Sequence, residues 1–511
     1  MQEKETKFKI PKEVELVIKK LRAKGFEAYI VGGCVRDILR GAKPSDWDVT
    51  TNAKAEETQE IMKKANLKTF YENEFWTVGV VWPRKSKARG GKIEEIPYDI
   101  IEVTTYRSEA KYTDKRHPDE IKFAKTIEED LARRDFTVNA IALKIENSLK
   151  IENCKLKIID PFNGQQDLKN KIIRAVGNPE DRFNEDALRM LRAVRLATTL
   201  GFKIEEKTAE AIKENFFWLK AVSKERIRDE FLKIIMSDAP AKGVELLREL
   251  GLLKHIIPEI EEGFQVSQNK HHIYDCYEHA LHCLDYAAKK KFNIYVRISS
   301  LLHDVGKPRT KQGEGQDATF YGHEIVGAKM TSHILNRLKF SKKDQERIVR
   351  LVRYHLFYYN VDEVGESSVR RLVFKVGPEN MEELLQVRMA DRIGSGCPKA
   401  EPYKLRHLKY IIEKVSQDPI SAKMLKVNGN EVMKILEIQP GAKIGQVLDI
   451  LLGQVLSDPG KNKKEILEKE IRKLGCLSEK EISSLAQKAR EEREKIEVKR
   501  DEMTKKKYWV T

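Results

Sequence analysis

The chain has 511 residues, 41% of them hydrophobic and 34% charged, with 96 Lys and Arg against 80 Asp and Glu for a net charge of +16. That length excludes a single core, and no apolar run is long enough to cross a bilayer. The basic excess suits a polyanion, RNA or DNA first, or serves solubility alone; the six scattered cysteines contain no C-x-x-C pair, so no thiolate zinc site is suggested by spacing, and they fit a reducing cytoplasm.

The first residues are charged and lack an apolar signal stretch. Residues 11–25 show helical spacing through Val14, Val17 and Leu21. The apolar run Ala28–Val31 then reads as a strand leading into Gly32-Gly33-Cys34-Val35-Arg36-Asp37. The glycines allow a phosphate close to backbone N–H groups, and Arg36 adds a fork of donors. The helix that begins there favours an anion at its N-terminus. Next come Asp46 and Asp48, one residue apart, before Val49-Thr50. On a strand such a pair shares a face, and two adjacent carboxylates call for a cation, Mg²⁺ beside a triphosphate above all. An isolated Asp-x-Asp is often only a solvated turn; the flanking strand-like runs and the glycine turn make the combination more specific.

Thr77–Trp82 and Tyr98–Thr105 read as strands, Arg84–Gly91 as a basic hairpin tip, and residues 106–120 as a mobile loop. From Glu128 the pattern turns helical, apart from a strand-like return at Leu156–Ile159. Arg133 and Arg134 offer bidentate donors to phosphate oxygens, and Asp135 and Asn139, at i and i+4, share a face if that segment is helical. In Asn184-Glu185-Asp186-Ala187-Leu188-Arg189-Met190-Leu191-Arg192, Asn184 is the expected helix cap. Asp186, Arg189 and Arg192 step along one face of it. Such a segment is by itself an ordinary amphipathic helix with ion pairs. Farther on, His303-Asp304 closes an apolar run and is joined by His279, His323, His355 and Asp391, an imidazole and carboxylate set suited to a hydrolytic divalent metal. The expectation is an α+β chain: a small mixed head followed by an elongated all-helical region.

The Gly32-Gly33-x-Val35-Arg36-Asp37, Asp46-x-Asp48 and Arg133-Arg134-Asp135-Phe136-Thr137-x-Asn139-Ala140 segments resemble motifs of the class II tRNA nucleotidyltransferase and bacterial poly(A) polymerase family. The resemblance spans about residues 20–475. It implies a polymerase-β-like head over 1–145, a helical neck over 146–265, an HD phosphohydrolase domain over 266–395, a tRNA-binding tail over 396–476, and a charged helix or disordered tail over 477–511. By the same resemblance Asp46 and Asp48 are catalytic and hold Mg²⁺ for two-metal nucleotidyl transfer, with Glu102 or Glu128 as a third carboxylate. Gly32, Gly33, Arg36, Arg133 and Arg134 face the triphosphate, and Asp135 and Asn139 serve ribose, phosphate or local structure. Asp186 and Arg189 read the base, supported by Arg192 and Arg226. His279, His303, Asp304 and Asp391 would ligate one divalent metal (Mg, Mn, Ni or similar), with His323 and His355 for a second metal or for phosphate.

The implied partners are tRNA, CTP and ATP, and the implied activity is CCA addition in the cytoplasm, with phosphatase or cyclic phosphodiesterase activity in the HD domain. Poly(A) synthesis and CC-only or A-only addition remain alternatives, as does an RNA-binding HD hydrolase with an inactive head. Tyr112–Pro118 resembles the family's segment for switching from C to A, which weighs against CC-only addition, and Glu74–Trp82 lacks the arginine-rich stretch associated with poly(A) synthesis.

Overall fold

The computed structural model describes residues 10–73, 76–83, 98–110, 120–146, 156–269, 273–416, 422 and 425–510. They divide into two compact units, one of residues 1–355 and 390–396, the other of 356–389 and 397–511. The expectations placed on Arg84–Gly91 and Tyr112–Pro118 lie outside the described residues. Among the described residues, no helix is long and apolar enough to cross a membrane.

In the first unit, helix α1 (Lys12–Arg22) precedes strand β1 (Ala28–Val31), helix α2 (Gly33–Leu39), strand β2 (Trp47–Thr51) and helix α3 (Ala55–Lys64). Strands β3 (Lys68–Asn73), β4 (Thr77–Pro83) and β5 (Tyr98–Thr105) follow. A two-stranded sheet of β6 (Arg107–Ala110) and β7 (Glu120–Phe123) takes up both ends of the expected loop, whose residues 111–119 lie outside the described residues. Helix α4 (Ile127–Ala132) leads to β8 (Ala142–Ile145) and β9 (Leu156–Ile159). The main sheet has the order β3-β4-β5-β2-β1-β8-β9, with β2 and β5 parallel.

Burial alternates along β1. Ala28 and Ile30 join a core with Val17, Leu21, Val49, Val103 and Leu143, while Tyr29 and Val31 join a second core with Tyr106, Leu131 and Ala142. Both faces of β1 are therefore covered, which explains its unbroken apolar run. The same two-sided burial makes Ile141–Ile145 read as helix in sequence; it is β8, paired with β1, and the head sheet closes only at Ile159.

Beyond the sheet the first unit is helical, and the expected neck and HD segments share one core. Phe183, Leu191, Phe231, Leu247, Leu284, Leu302, Ile334 and Val352 all belong to it. Each such fully buried aliphatic or aromatic side chain contributes roughly 1.5–3 kcal/mol.

The second unit has its own core, with Val432, Val447, Leu451, Leu467, Ile471 and Ile482. Its last element is the 30-residue helix Glu479–Tyr508, so the charged end is a helix. Ser478 caps it with Glu481 in a capping box, Arg490 pairs with Asp449 at 2.7 Å, and Ile482 and Ala486 are buried.

Candidate active site and metal centre

The register of β2 and β5 places Asp48 opposite Glu102 and Thr50 opposite Thr104. Val49, Ile101 and Val103 lie in the α1–α3 core, so Asp48 and Glu102 leave the other face together. There they line a cleft of about 400 Å³ with Gly32, Gly33, Arg107, Arg133, Arg134, Asp135, Asn139, Asp186, Arg189, Arg192 and Arg226. Of the two candidate third carboxylates, Glu102 lines this cleft and Glu128 lines a different groove; both are exposed. Asp46 stands on the bend before β2, exposed, accepting a hydrogen bond from Ser45 Oγ at 3.0 Å. It is not among the residues lining the cleft.

Gly32 holds φ at +80°, a conformation open to glycine, and a Cβ there would lie 3.0 Å from Asp48 Oδ2 and 3.1 Å from Arg134 Nη1. The missing side chain lets a carboxylate and a guanidinium meet the turn. Arg36 forms part of the frame: its guanidinium is tied to Asp37 at 2.9 Å and donates to Asn139 Oδ1 at 3.0 Å, and it does not line the cleft.

The paired arginines are organised by Asp130, which the sequence reading leaves without a role. Thr126 caps α4, and Asp130, three and four residues before Arg133 and Arg134, is fully buried. It meets Arg133 at 2.8 Å and Arg134 at 3.3 Å, and accepts a hydrogen bond from Thr50 Oγ1 at 3.3 Å. Burial pushes its carboxyl up, but the two guanidinium groups outweigh that and hold it below the usual carboxylate range. The i, i+3 and i, i+4 spacing is the signal that could have identified it.

Asp135 and Asn139 do meet, with Asn139 Nδ2 donating to Asp135 Oδ1 at 3.2 Å, but not on a helix. Helix α4 ends at Ala132, Phe136 is extended and bridges Ala175, and only Thr137–Asn139 form a 3₁₀ turn. Tertiary pairing overrides the local pattern here. Asp135 holds Arg192 at 2.7 Å, which ties to the head a guanidinium that also lines the cleft. Against the cost of burial, Arg192 and Arg189 bring the Asp135 carboxyl down to about 2.

The Asp186 segment is broken, not continuous. One helix runs Pro179–Glu185, with Asn178 at its N-cap position and Pro179 opening its first turn, and Asn184 lies inside it. Asp186 is extended, its Oδ1 accepting from Leu188 N at 3.0 Å as the helix Leu188–Leu200 begins. Asp186 and Arg189 nevertheless line the same cleft. Arg226 grips Asp186 at 2.6 Å, while Arg189 donates to the Arg133 carbonyl at 2.9 Å and pairs with Glu185.

The six expected HD residues converge in one buried cluster. His279 Nε2 lies 3.1 Å from His303 Nε2, 3.2 Å from Asp304 Oδ2 and 3.5 Å from Asp391 Oδ1. His323 and His355 face the other oxygen, Asp304 Oδ1, at 3.3 and 3.5 Å. Asp304 thus stands between two ligand groups, His279/His303/Asp391 and His323/His355. Nδ1 of His303, His323 and His355 each lies 2.7–2.9 Å from a backbone carbonyl three residues earlier. An N–H donated there leaves Nε2 aimed into the cluster, as metal ligation requires. Gly306 permits the tight loop, since a Cβ there would lie 2.4 Å from the His323 carbonyl.

Burial lowers the His303 imidazole, yet Asp304 and Asp391 raise it to about 10, the mark of a cluster that calls for positive charge. Lys307, which the sequence reading left without a role, meets Asp304 Oδ2 at 2.6 Å and donates to Gln268 Oε1 at 2.7 Å.

Residues 28–174 match the poly A polymerase head domain, 201–264 the probable RNA and SrmB-binding site of polymerase A, and 272–394 the HD domain. The chain is 32% identical over 441 residues to the A-adding tRNA nucleotidyltransferase of Deinococcus radiodurans, covering 83% of this chain and 90% of that protein. It is also 32% identical over 461 residues to the CCA-adding enzyme of Ligilactobacillus salivarius, covering 90% and 95%. Among solved structures it resembles the Bacillus stearothermophilus CCA-adding enzyme in complex with CTP, with a TM-score of 0.57 and 26% identity over 91% of this chain and 98% of that one.

Proposed function

The chain belongs to the class II CCA-adding tRNA nucleotidyltransferase family and carries an HD domain, and on that premise we propose that it adds C, C and A to tRNA 3′ ends from CTP and ATP, without a nucleic-acid template. The carrying observation is one cleft that gathers Asp48, Glu102, Arg133, Arg134, Asp186 and Arg189.

In that reading the tRNA 3′-hydroxyl attacks the α-phosphorus, a P–O bond forms, and the bond to the leaving pyrophosphate breaks. Arg133 and Arg134, held by Asp130, bind the triphosphate oxygens. Asp186 accepts from the exocyclic amino group of cytosine or adenine, and Arg189 donates to the neighbouring ring acceptors. Uracil and guanine present the wrong pattern and leave buried groups unpaired. Asp135, Asn139, Arg192 and Arg36 hold the head against the base-reading helix, and Arg226 orients Asp186. Asp48, Glu102 and Asp46 are the residues that would hold Mg²⁺, an all-oxygen donor set that suits a hard ion. Bound there, the ions would acidify the hydroxyl and neutralise charge on the leaving group.

The HD cluster supports a second activity, hydrolysis of phosphate monoesters or 2′,3′-cyclic phosphodiesters. His279, His303, Asp304 and Asp391 would hold one divalent ion, with Asp304, His323 and His355 available for a second. The mixed nitrogen and oxygen donors fit Mn, Ni or a similar metal. The bound metal would supply Lewis acidity, and Lys307 would position Asp304. A cytoplasmic setting is supported by the free thiols of Cys34, Cys276, Cys283, Cys397 and Cys476.

The test is incorporation of labelled CTP and ATP into tRNA ending at the discriminator base, at CC and at CCA. Addition of C, C and one A, then arrest, is the expected result. A second reading, A-only addition, is favoured by the A-adding Deinococcus relative; it predicts transfer to the CC end alone. Long A tails would indicate poly(A) synthesis, and no transfer would overturn the enzymatic reading of the head.

A further inference from the structure

A thiol sits inside the HD cluster. Cys283 follows His279 by four residues on the helix Cys276–Lys289, so the two side chains share a face. The sulfur is fully buried and lies 3.5 Å from His279 Nε2, itself 3.1 Å from His303 Nε2. All three donor atoms lie within 4.8 Å of one another. Tetrahedral bonding, with metal–nitrogen bonds of about 2.1 Å and metal–sulfur bonds of about 2.3 Å, sets N–N edges near ~3.4 Å and N–S edges near ~3.6 Å. Both observed separations approach those edges.

The neighbouring backbone makes room for the sulfur, because a Cβ on Gly394 would lie 2.3 Å from Cys283 Sγ. A buried cysteine is ordinarily a small hydrophobe among apolar neighbours. This one faces the nitrogen of a histidine that also stands 3.2 Å from Asp304 and 3.5 Å from Asp391.

Resting on the reading of this cluster as a divalent-metal centre, we propose that Cys283 is a further ligand of that centre, binding Zn²⁺, Co²⁺ or Cd²⁺ through its thiolate beside His279 and His303. As the metal–sulfur bond forms, the S–H bond breaks and the proton passes to buffer. Mg²⁺ and Mn²⁺ prefer oxygen and imidazole donors and use the carboxylates and histidines without the sulfur. One cluster therefore offers two donor sets, and the class of ion decides whether sulfur joins.

The experiment is metal titration of the full-length protein and its C283S variant with Co²⁺, Cd²⁺ and Mn²⁺. The expected result is a sulfur-to-cobalt charge-transfer band in the parent that C283S lacks. Cd²⁺ affinity should fall about tenfold or more in C283S, with Mn²⁺ affinity within about twofold. Zinc-edge X-ray absorption of the unaltered protein, which does not depend on the variant folding, should show one sulfur among nitrogen and oxygen scatterers. Absence of sulfur in that spectrum, or a charge-transfer band unchanged in C283S, overturns the assignment. If H303A binds Co²⁺, Cd²⁺ and Mn²⁺ as tightly as the parent, the metal-centre reading itself fails; loss of all three in H303A, with no sulfur signal in the parent, removes only Cys283.

Discussion

Asp48 and Glu102 are register partners on adjacent parallel strands, so two carboxylates leave one face of the sheet side by side. Nothing in strand packing rewards that pairing; like charges opposite one another destabilise a sheet. A cation between them reverses the sign. D48N and E102Q are each expected to lower single-turnover CTP transfer by at least ~10²-fold. E128Q should transfer at the parental rate. An E102Q enzyme with the parental rate would remove Glu102 from the site; D46N is expected to lower transfer as D48N does, and a parental rate in D46N would remove Asp46 from the metal site.

Asp130 supplies the charge against which Arg133 and Arg134 are held. D130N keeps the shape and removes the charge, leaving two guanidinium groups under-compensated. The expected cost is about 3 kcal/mol of stability, together with a rise in KM for CTP and ATP of roughly tenfold. Steady-state kinetics well below the variant's unfolding temperature separates the two effects. A purely structural Asp130 would lower the thermal midpoint and leave KM where it was.

The chemistry of the site was more legible in the sequence than its geometry. Gly32, Asp48, Arg133 and Arg134 come from short-range motifs that the fold brings to one cleft, and the six HD residues, singled out by type and spacing, gather in one cluster. The errors came where tertiary contacts decide backbone shape. Asp135 and Asn139 have helical spacing, but the strand-like bridge of Phe136 to Ala175 pulls the segment out of a helix. Asp186 sits in an apparently continuous amphipathic pattern, yet the helix breaks there and its carboxylate caps the next one. Arg192 lines the cleft as a cation, but its partner across 57 positions, Asp135, is out of reach of any local pattern. Ile141–Ile145, buried on both faces, offers no period by which strand and helix can be told apart.

The Asp135–Arg192 pair fixes an acid limit. The Asp135 carboxyl lies at about 2 in the folded protein, against about 3.9 when unfolded. A depressed folded value means the stabilisation is complete above the unfolded value and is lost as pH falls from about 4 towards 2. It amounts to about 2–3 kcal/mol at neutral pH. Urea unfolding between about pH 2 and 5 should show this slope. D135N should flatten it and start from lower stability, since Arg192 then lacks its partner. An identical pH slope in D135N would assign the acid limit to other carboxylates.

On the proposed function, a chain of net +16 would grip tRNA largely through its phosphates. Affinity for tRNA should fall about 10³-fold or more between roughly 50 and 200 mM salt if six or more phosphates are engaged. Filter binding at several salt concentrations gives the slope directly. A flat line would shift the binding to base or shape contacts.

In the proposed function Arg226 bears on selection rather than on chemistry. It holds Asp186 at 2.6 and 3.4 Å through two nitrogens, while the Leu188 amide fixes one of the same oxygens. A carboxylate so constrained presents one orientation to an incoming base. R226Q loosens it without touching Asp48, Glu102 or the paired arginines. UTP and GTP incorporation relative to CTP should rise roughly tenfold, because in the proposed reading discrimination at this edge rests on an acceptor in fixed position. The rate with CTP should fall less than the selectivity. Competition assays with mixed nucleotides measure that ratio, and R226K, which restores charge but not the fork, should recover it only in part. If R226Q loses CTP transfer and selectivity in equal measure, Arg226 contacts the nucleotide itself and its grip on Asp186 is incidental.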